Sequence, residues 1–147
     1  IGLFQGSIEQ MVALAVLMPI VASMGGNAGT QTLTVAVRAL ATKELTATNA
    51  MRVIGKELIV GAFNGVLFAI LTGLVALAWF DSAAIGVVIA LAMIINLVVA
   101  GLAGTTVPIL LDRAGIDPAI ASSVVLTTIT DVIGFFAFLG LAAALLL

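Results

Sequence analysis

One aspartate lies in the middle of a strongly apolar stretch near the C-terminal end of the chain. Asp131 follows Pro118 by 13 residues, which is about 20 Å along an ideal helix and close to the middle of a membrane-spanning segment. No lysine, arginine or histidine is predicted at that depth, so a carboxylate there must take up a proton or face water and a cation. The position of Asp131 therefore favours cation binding.

Polar side chains recur at helical spacing in two apolar stretches, one at each end of the chain. The first stripe consists of Ser23, Asn27, Thr30, Gln31, Thr34 and, at its end, Arg38. The second stripe consists of Ser123, Thr127, Asp131 and Gly134. Asn27 lies about 17 Å from Arg38 along a helix, which places it near the depth of Asp131. We therefore expect the two stripes to meet around one central site.

Both stripes offer oxygen ligands, namely one carboxylate, side-chain amides and hydroxyls. Hard cations such as Mg²⁺ and Ca²⁺ take oxygen ligands, and Mg²⁺ tends to keep several of its waters. Because the whole chain has seven acidic residues, a fully dehydrated protein cage is not expected. A hydrated ion held by one or two Asp131 carboxylates fits better, and metals that favour sulfur or imidazole fit less well.

Packing roles for the same residues stay open. Asp131 could be protonated and donate to a backbone carbonyl, and serine and threonine hydroxyls often bond to their own helix backbone. Asn64 and Asn96 suit hydrogen bonds between helices better than metal ligation. The first stripe is harder to explain by packing, because five polar residues share one face opposite apolar ones.

The composition indicates the medium in which these residues lie. Of the 147 residues, 63% are hydrophobic and 8% are charged, whereas roughly a quarter of a soluble domain is charged. A lipid bilayer is therefore the expected surrounding. Cysteine and histidine are absent, which excludes disulfides, thiol chemistry and a histidine base. A net charge of −2 argues against a nucleic acid partner.

Four segments are long and apolar enough to cross a bilayer, which requires about 20 residues each. They lie at about 7–41, 50–80, 83–111 and 118–147. Ser7 is the expected N-cap of the first segment, and Asp117, followed by Pro118, is that of the fourth. Pro19 and the glycines after it are the expected bend points of the long first segment. The predicted fold class is all-α, a polytopic membrane helix bundle that forms a single transmembrane domain over residues 1–147.

Basic residues predict the orientation of these helices. The connection between the first two segments is flanked by Arg38, Lys43, Arg52 and Lys56. Arg113 lies in the third connection, whereas the second contains only Asp81. By the positive-inside rule, the first and third connections face the cytoplasm and both chain ends lie outside. Because no signal-peptide pattern precedes the first segment, an additional upstream helix is expected.

Two motifs in this sequence resemble the MgtE family of magnesium channels. The first begins at Pro19 and reads PIVASMGGNAGTQTLTVAVRALAT, and the second, residues 115–135, reads GIDPAIASSVVLTTITDVIGF. The resemblance implies a homodimeric Mg²⁺ channel with five helices per subunit and a pore lined by the second and fifth, which are here the first and last segments. It also implies an upstream first helix and cytoplasmic sensor domains that regulate the pore.

The resemblance also assigns roles to individual positions. Asp131 matches the aspartate that holds hydrated Mg²⁺ in the pore, and Thr127 matches a position whose main-chain carbonyl contributes. Asn27 matches the pore-facing asparagine of the GGN motif, and Asp117 an acidic residue near the cytoplasmic mouth. Ser123 departs from the family pattern, in which at least some members have asparagine. A two-fold axis along the pore would bring two Asp131 side chains to one ion.

The predicted function is therefore a Mg²⁺-selective channel of the cell membrane that conducts hydrated divalent cations, with lipid and a second copy of the chain as partners. The alternative is a transporter that couples the cation to Na⁺ or H⁺ through Asp131. A purely structural membrane subunit would leave the polar stripes unexplained. An intramembrane aspartyl hydrolase needs two carboxylates that share a proton, whereas a single chain has one at depth, so the protein is not expected to be an enzyme.

Overall fold

Four long helices make up the structure. The computed structural model describes residues 1–6, 12–46 and 48–146. After a 3₁₀ turn at Gly2–Phe4, helix α1 spans Val12–Ala41, α2 spans Ala50–Phe80, α3 spans Ala83–Arg113 and α4 spans Pro118–Leu145. Each of the four contains a stretch that is long and apolar enough to cross a membrane. The predicted all-α helix bundle is confirmed, and the chain is a multi-pass membrane protein.

The fourth helix begins at the predicted cap. The carboxylate of Asp117 accepts a hydrogen bond of 3.0 Å from the backbone N–H of Ala119, and Pro118 occupies the first turn. Proline suits this position because its missing N–H would have no partner inside the helix. Ser7, the predicted N-cap of the first helix, lies outside the described residues, as does Leu147.

Helix α3 ends at Arg113 rather than at the predicted Leu111. Gly115 has a φ of +79°, a conformation that glycine adopts without steric cost. The N–H of Ile116 then donates to the carbonyl of Leu111 at 2.9 Å, and the N–H of Gly115 donates to that of Asp112 at 3.1 Å. This Schellman arrangement stops the helix, so the glycine sets the end, and the charged residues before it do not.

Helix α3 occupies the centre of the bundle. It packs against α1, α2 and α4, whereas α1 and α2 hardly touch each other. Buried residues lie along its whole length, from Ile85 to Ile109. In contrast, α2 exposes large apolar side chains such as Phe63, Ile70 and Leu74, as expected of a helix that faces lipid. Because α3 has no polar face, its central position is expected, since a helix that is apolar on all sides is typically buried.

Glycines allow α2 and α3 to approach closely. A Cβ atom at Gly61 would lie 2.8 Å from the carbonyl oxygen of Leu97, and one at Gly101 would lie 2.7 Å from that of Glu57. Small residues at such positions bring helix backbones together in membranes, where lipid removes the hydrophobic drive for association. The backbone of Glu57 is thereby fixed against α3.

Candidate ion-binding site

The polar stripe of α1 faces away from the helix bundle. All six of its members are exposed, namely Ser23, Asn27, Thr30, Gln31, Thr34 and Arg38. The opposite face of α1, with Gly25, Gly29 and Ala36, is buried. At the depth of the hydrocarbon a polar face is tolerated only against protein or water. The stripe therefore requires a covering that the described residues do not supply.

The stripe of α4 shares this exposure except at one position. Ser123 and Thr127 are exposed and Asp131 is partly exposed. Gly134, expected in the same stripe, is buried, and a Cβ atom there would lie 2.8 Å from Nδ2 of Asn96 in α3. It departs from the expected pore-lining face because it provides the space into which the Asn96 side chain packs.

The two stripes run along neighbouring helices. Helices α1 and α4 pack against each other, and a Cβ atom at Gly29 would lie 3.0 Å from Cδ2 of Leu126. The cavity beside Asp131 contains no residue of α1 among those that line it. Asn27 does not line this cavity, and the meeting of the two stripes around one central site stays a prediction.

Apolar residues surround the Asp131 carboxylate. Its cavity has a volume of about 400 Å³ and is otherwise lined by Ile1, Leu3, Phe4, Val132, Phe135 and Phe136. The rings of Phe4 and Phe136 meet edge to face, with centroids 5.8 Å apart. Asp131 has no hydrogen bond or ion pair to the residues that the structure describes. The contribution of residues 1–4 was not predicted, because these residues are apolar or glycine and do not belong to either polar stripe.

Threonine hydroxyls in both stripes bond to their own helices. Thr30 donates to the carbonyl of Gly26 at 2.7 Å, and Thr34 donates to that of Thr30 at 2.8 Å. Thr128, beside the α4 stripe, donates to the carbonyl of Val124 at 2.8 Å. Each hydroxyl hydrogen is thereby used, and the oxygen lone pairs that remain can only accept. These three oxygens suit the outward-pointing hydrogens of a hydrated cation.

The main-chain carbonyl of Thr127 already has a partner. Thr130, which is fully buried, donates its hydroxyl to the carbonyls of Leu126 and Thr127, at 3.2 Å in both cases. Helix α4 is also uninterrupted at this point. A contribution of this carbonyl to an ion therefore requires that it be shared with the Thr130 hydroxyl.

Gln31 differs from the other members of the α1 stripe in the cavity that it lines. It faces a cavity of about 200 Å³ between α1 and α2, together with Thr32, Glu57 and Asn64. We call this region, with the neighbouring cavity that also contains Glu57, the α1–α2 cleft. Glu57 was not among the predicted site residues. The signal for it was a carboxylate seven residues into an apolar helix, adjacent to Lys56.

The two residues assigned to the cytoplasmic mouth are both exposed. Arg38 lies in the last turn of α1, and Asp117 is the N-cap of α4. The carboxylate of Asp117 is engaged with the backbone N–H of Ala119, so it offers its remaining lone pairs to solvent. No ion pair joins Asp117 to Arg38 within the described part of the chain.

Asn96 joins α3 to both stripe-bearing helices. Its side chain is fully buried, and Nδ2 donates to the carbonyl of Val21 in α1 at 2.8 Å, as predicted for a hydrogen bond between helices. Asn64, for which the same was predicted, makes no such bond with the described residues. The Asn96 amide fits between Gly25 of α1 and Gly134 of α4. Its Oδ1 atom has no partner among the described residues. Asn96 therefore fixes where α1 and α4 lie relative to each other.

Among the described residues, no group of three or more histidine, cysteine, aspartate or glutamate side chains could hold a metal ion. Mg²⁺ that keeps its waters needs few protein ligands. The arrangement thus suits a hydrated ion that the protein contacts through water, or a site completed by a second chain.

Comparison with known proteins identifies the family. The sequence model of the family MgtE, described as divalent cation transporter, matches residues 18–141. The chain belongs to the MgtE family. The match covers most of α1 and all of α2 and α3, and it extends into α4 beyond Asp131. MgtE is a family of transporters rather than of enzymes, and the resemblance predicted from the two motifs is confirmed.

Three MgtE relatives are similar over nearly the whole chain. Each is named Magnesium transporter MgtE. The protein from Bacillus subtilis (strain 168) is 35% identical over 144 residues, which is 98% of this chain and 32% of the relative. That from Enterococcus faecalis is 34% identical over 140 residues, 95% of this chain and 31% of the relative. That from Thermus thermophilus is 35% identical over 144 residues, which is 97% of this chain and 32% of the relative. The chain thus spans about a third of the length of these relatives.

Proposed function

We propose that this chain forms the membrane part of a Mg²⁺ channel that conducts hydrated ions through a pore lined by α1 and α4. The observation that carries the proposal is the unpaired carboxylate of Asp131 beside polar helix faces that are exposed at membrane depth. Family membership and the names of the relatives support Mg²⁺ as the transported ion. The hydroxyls that can only accept hydrogen bonds favour a cation that keeps its water shell.

Each predicted site residue has a place in this proposal. Asp131 is the central cation site, with Thr127 one turn before it. The pore wall is formed by Ser23, Asn27, Thr30, Thr34 and Ser123, with Gln31 at its edge. Arg38 and Asp117 lie at the cytoplasmic mouth. Gly134 acts behind this wall, where it accommodates Asn96.

A homodimer completes the site in this proposal. The exposed faces of α1 and α4 need a polar or wet covering, and a two-fold axis would place the same faces of two chains opposite each other. Two Asp131 carboxylates would then balance the charge of one divalent ion. The four helices form a single transmembrane domain in the cell membrane. Both ends of the chain lie outside, and cytoplasmic sensor domains act from the rest of a longer protein.

Flux measurements with the purified chain in proteoliposomes test the proposal. For a channel, the reversal potential of the Mg²⁺ current should follow the Mg²⁺ gradient alone. Gradients of Na⁺ or of pH should leave that potential unchanged. A reversal potential that changes with either gradient would contradict a channel and support a transporter coupled to Na⁺ or H⁺.

Cysteine cross-linking tests the homodimeric pore. The chain contains no cysteine, so any cross-link in a single-cysteine variant must involve the introduced cysteine. With a bifunctional thiol reagent long enough to span a pore that passes a hydrated ion, Thr127→Cys and Asn27→Cys should yield covalent dimers, whereas oxidation alone should not, because a direct disulfide needs two Cα atoms within about 7 Å. Val66→Cys on the exposed face of α2 is the matched control and should remain monomeric. Dimers from Val66→Cys and none from the other two variants would contradict a pore between α1 and α4.

A further inference from the structure

The α1–α2 cleft is a second polar region, separate from Asp131. Helices α1 and α2 hardly touch, and α3 forms the floor between them through Leu97 and Gly101. The cleft contains two cavities, of about 200 Å³ and about 170 Å³, and both are lined by Thr32, Val35 and Glu57. The shared lining places the carboxylate of Glu57 at the junction of the two cavities.

Oxygen atoms with free lone pairs line this cleft. The side chains of Glu57, Gln31 and Asn64 make no hydrogen bond or ion pair with the described residues. The hydroxyl of Thr32 donates to the carbonyl of Ala28 at 3.2 Å, so its oxygen is left to accept. Arg52 and Lys56 on the same helix form no ion pair with Glu57 within the described ranges. The carboxylate therefore has no ion-pair partner among the described residues.

The depth of Glu57 makes this lack of a partner costly. It lies seven residues after the start of α2, about 10 Å along a helix. Since α2 has 31 residues and the hydrocarbon core is about 30 Å thick, Glu57 is near its edge and Asn64 is near its middle. Ionisable side chains at such depths typically mark ion sites, because the alternative is an uncompensated charge in a medium of low dielectric constant.

We propose that the α1–α2 cleft is a second cation site, at which Glu57 binds a hydrated divalent cation through its water shell. The larger cavity has the volume of about six waters at about 30 Å³ each, which suits an ion that keeps its first shell. Gln31 and Asn64 supply amide oxygens on that side. Glu44, which is exposed, lines the smaller cavity and adds a second carboxylate to the cleft.

This site goes beyond the proposed pore, because its carboxylates belong to α2 and to the connection before it and not to the stripes of α1 and α4. The two proposed sites also differ in the number of chains that form them. The cleft lies within one chain and needs no partner copy, whereas the Asp131 site is completed by a second chain. The two sites can therefore be separated by substitution.

Mn²⁺ binding to the purified chain tests the inference, since Mn²⁺ takes the same oxygen ligands and is visible by electron paramagnetic resonance. In an Asp131→Asn background, which removes the pore carboxylate, bound Mn²⁺ should persist. Adding Glu57→Gln should weaken that remaining binding by about tenfold or more, because a charge-assisted hydrogen bond is lost. Asn64→Leu, which leaves the charge unchanged, should weaken it less.

Asp81→Asn is the matched control, because it removes one negative charge from the other end of α2. It should leave Mn²⁺ binding unchanged. Unchanged binding in Asp131→Asn/Glu57→Gln, with an unchanged melting temperature in the absence of ion, would overturn the cleft site and leave the Asp131 pore intact. The Mg²⁺ flux of Asp131→Asn tests the pore and not the cleft. Either proposal can therefore be contradicted while the other stands.

Discussion

Replacing Asp131 with alanine is expected to abolish Mg²⁺ flux and the rise in melting temperature that Mg²⁺ produces. Asp131 is the only carboxylate in the two stripes, and no described residue compensates its charge. Each lost charge-assisted hydrogen bond to a hydrated ion costs about 1.5–3 kcal/mol, and the dimer loses at least one on each side. Flux into proteoliposomes and melting curves with Mg²⁺, Ca²⁺ and Mn²⁺ measure the two effects.

Asp112→Ala is the control for this substitution, because Asp112 is exposed at the end of α3 and its removal changes the net charge equally. Flux should be retained in Asp112→Ala. Retention of flux in Asp131→Ala would remove Asp131 from the proposed site. Equal stabilisation of the native protein by all three ions at the same concentration would widen the assignment from Mg²⁺ to divalent cations, since the stabilisation by a ligand rises with the logarithm of its affinity.

Two adjacent glycines are expected to respond in opposite ways to the same substitution. A Cβ atom at Gly25 would lie 2.1 Å from Nδ2 of Asn96, whereas one at Gly26 would meet nothing within 4 Å. Asn96 is fully buried and has Gly134 on its other side, so it has no room to move. Gly25→Ala should therefore destabilise the fold by about 1–3 kcal/mol or more, as other overpacked sites do. Gly26→Ala should be neutral or stabilise it by up to about 1 kcal/mol through helix propensity.

Unfolding of the purified chain in mixed detergent micelles compares these variants. If Gly25 acts through Asn96, the double variant Gly25→Ala/Asn96→Ala should recover part of the stability that Gly25→Ala loses, because the clash is relieved. The recovery is partial since the hydrogen bond to Val21 is also removed. Equal destabilisation by Gly25→Ala and Gly26→Ala would instead point to a need for backbone flexibility in this pair and would contradict the close-contact interpretation.

The helices themselves could be predicted from sequence, because crossing a bilayer demands length and apolarity in one continuous segment. α2 begins at Ala50 and ends at Phe80 as the apolar run indicates. Helical spacing also predicted the shared exposed face of Ser23, Asn27 and Thr34, since periodicity determines which residues lie on one side. The pairing of Asp117 with Pro118 likewise marked the start of α4 by local chemistry alone.

The spacing of residues along a helix does not determine which side chains pack against a given face of it. For this reason some residues have other neighbours in the structure than the sequence predicted. Gly134 has the spacing of the α4 stripe, yet the side chain that packs on it, Asn96, belongs to α3. The partner of Asn96 in turn lies 75 residues away in the sequence. Gln31 lines the α1–α2 cleft only because α3 separates α1 from α2. Such relations arise from the packing of three helices, which no single segment encodes.

The central position of α3 has a consequence for how this family can vary. Lipid adapts to almost any apolar side chain, so the outer positions of α2 can exchange leucine, isoleucine and phenylalanine freely. The interior of a protein is packed as densely as a crystal, so a change of one methylene group there lowers the stability of the fold. Substitutions should therefore be restricted most by volume in α3, where Met93 and Leu97 are buried. Helix α3, which supplies no stripe residue, would then tolerate the fewest changes, and tolerance to substitution alone would not locate the ion path.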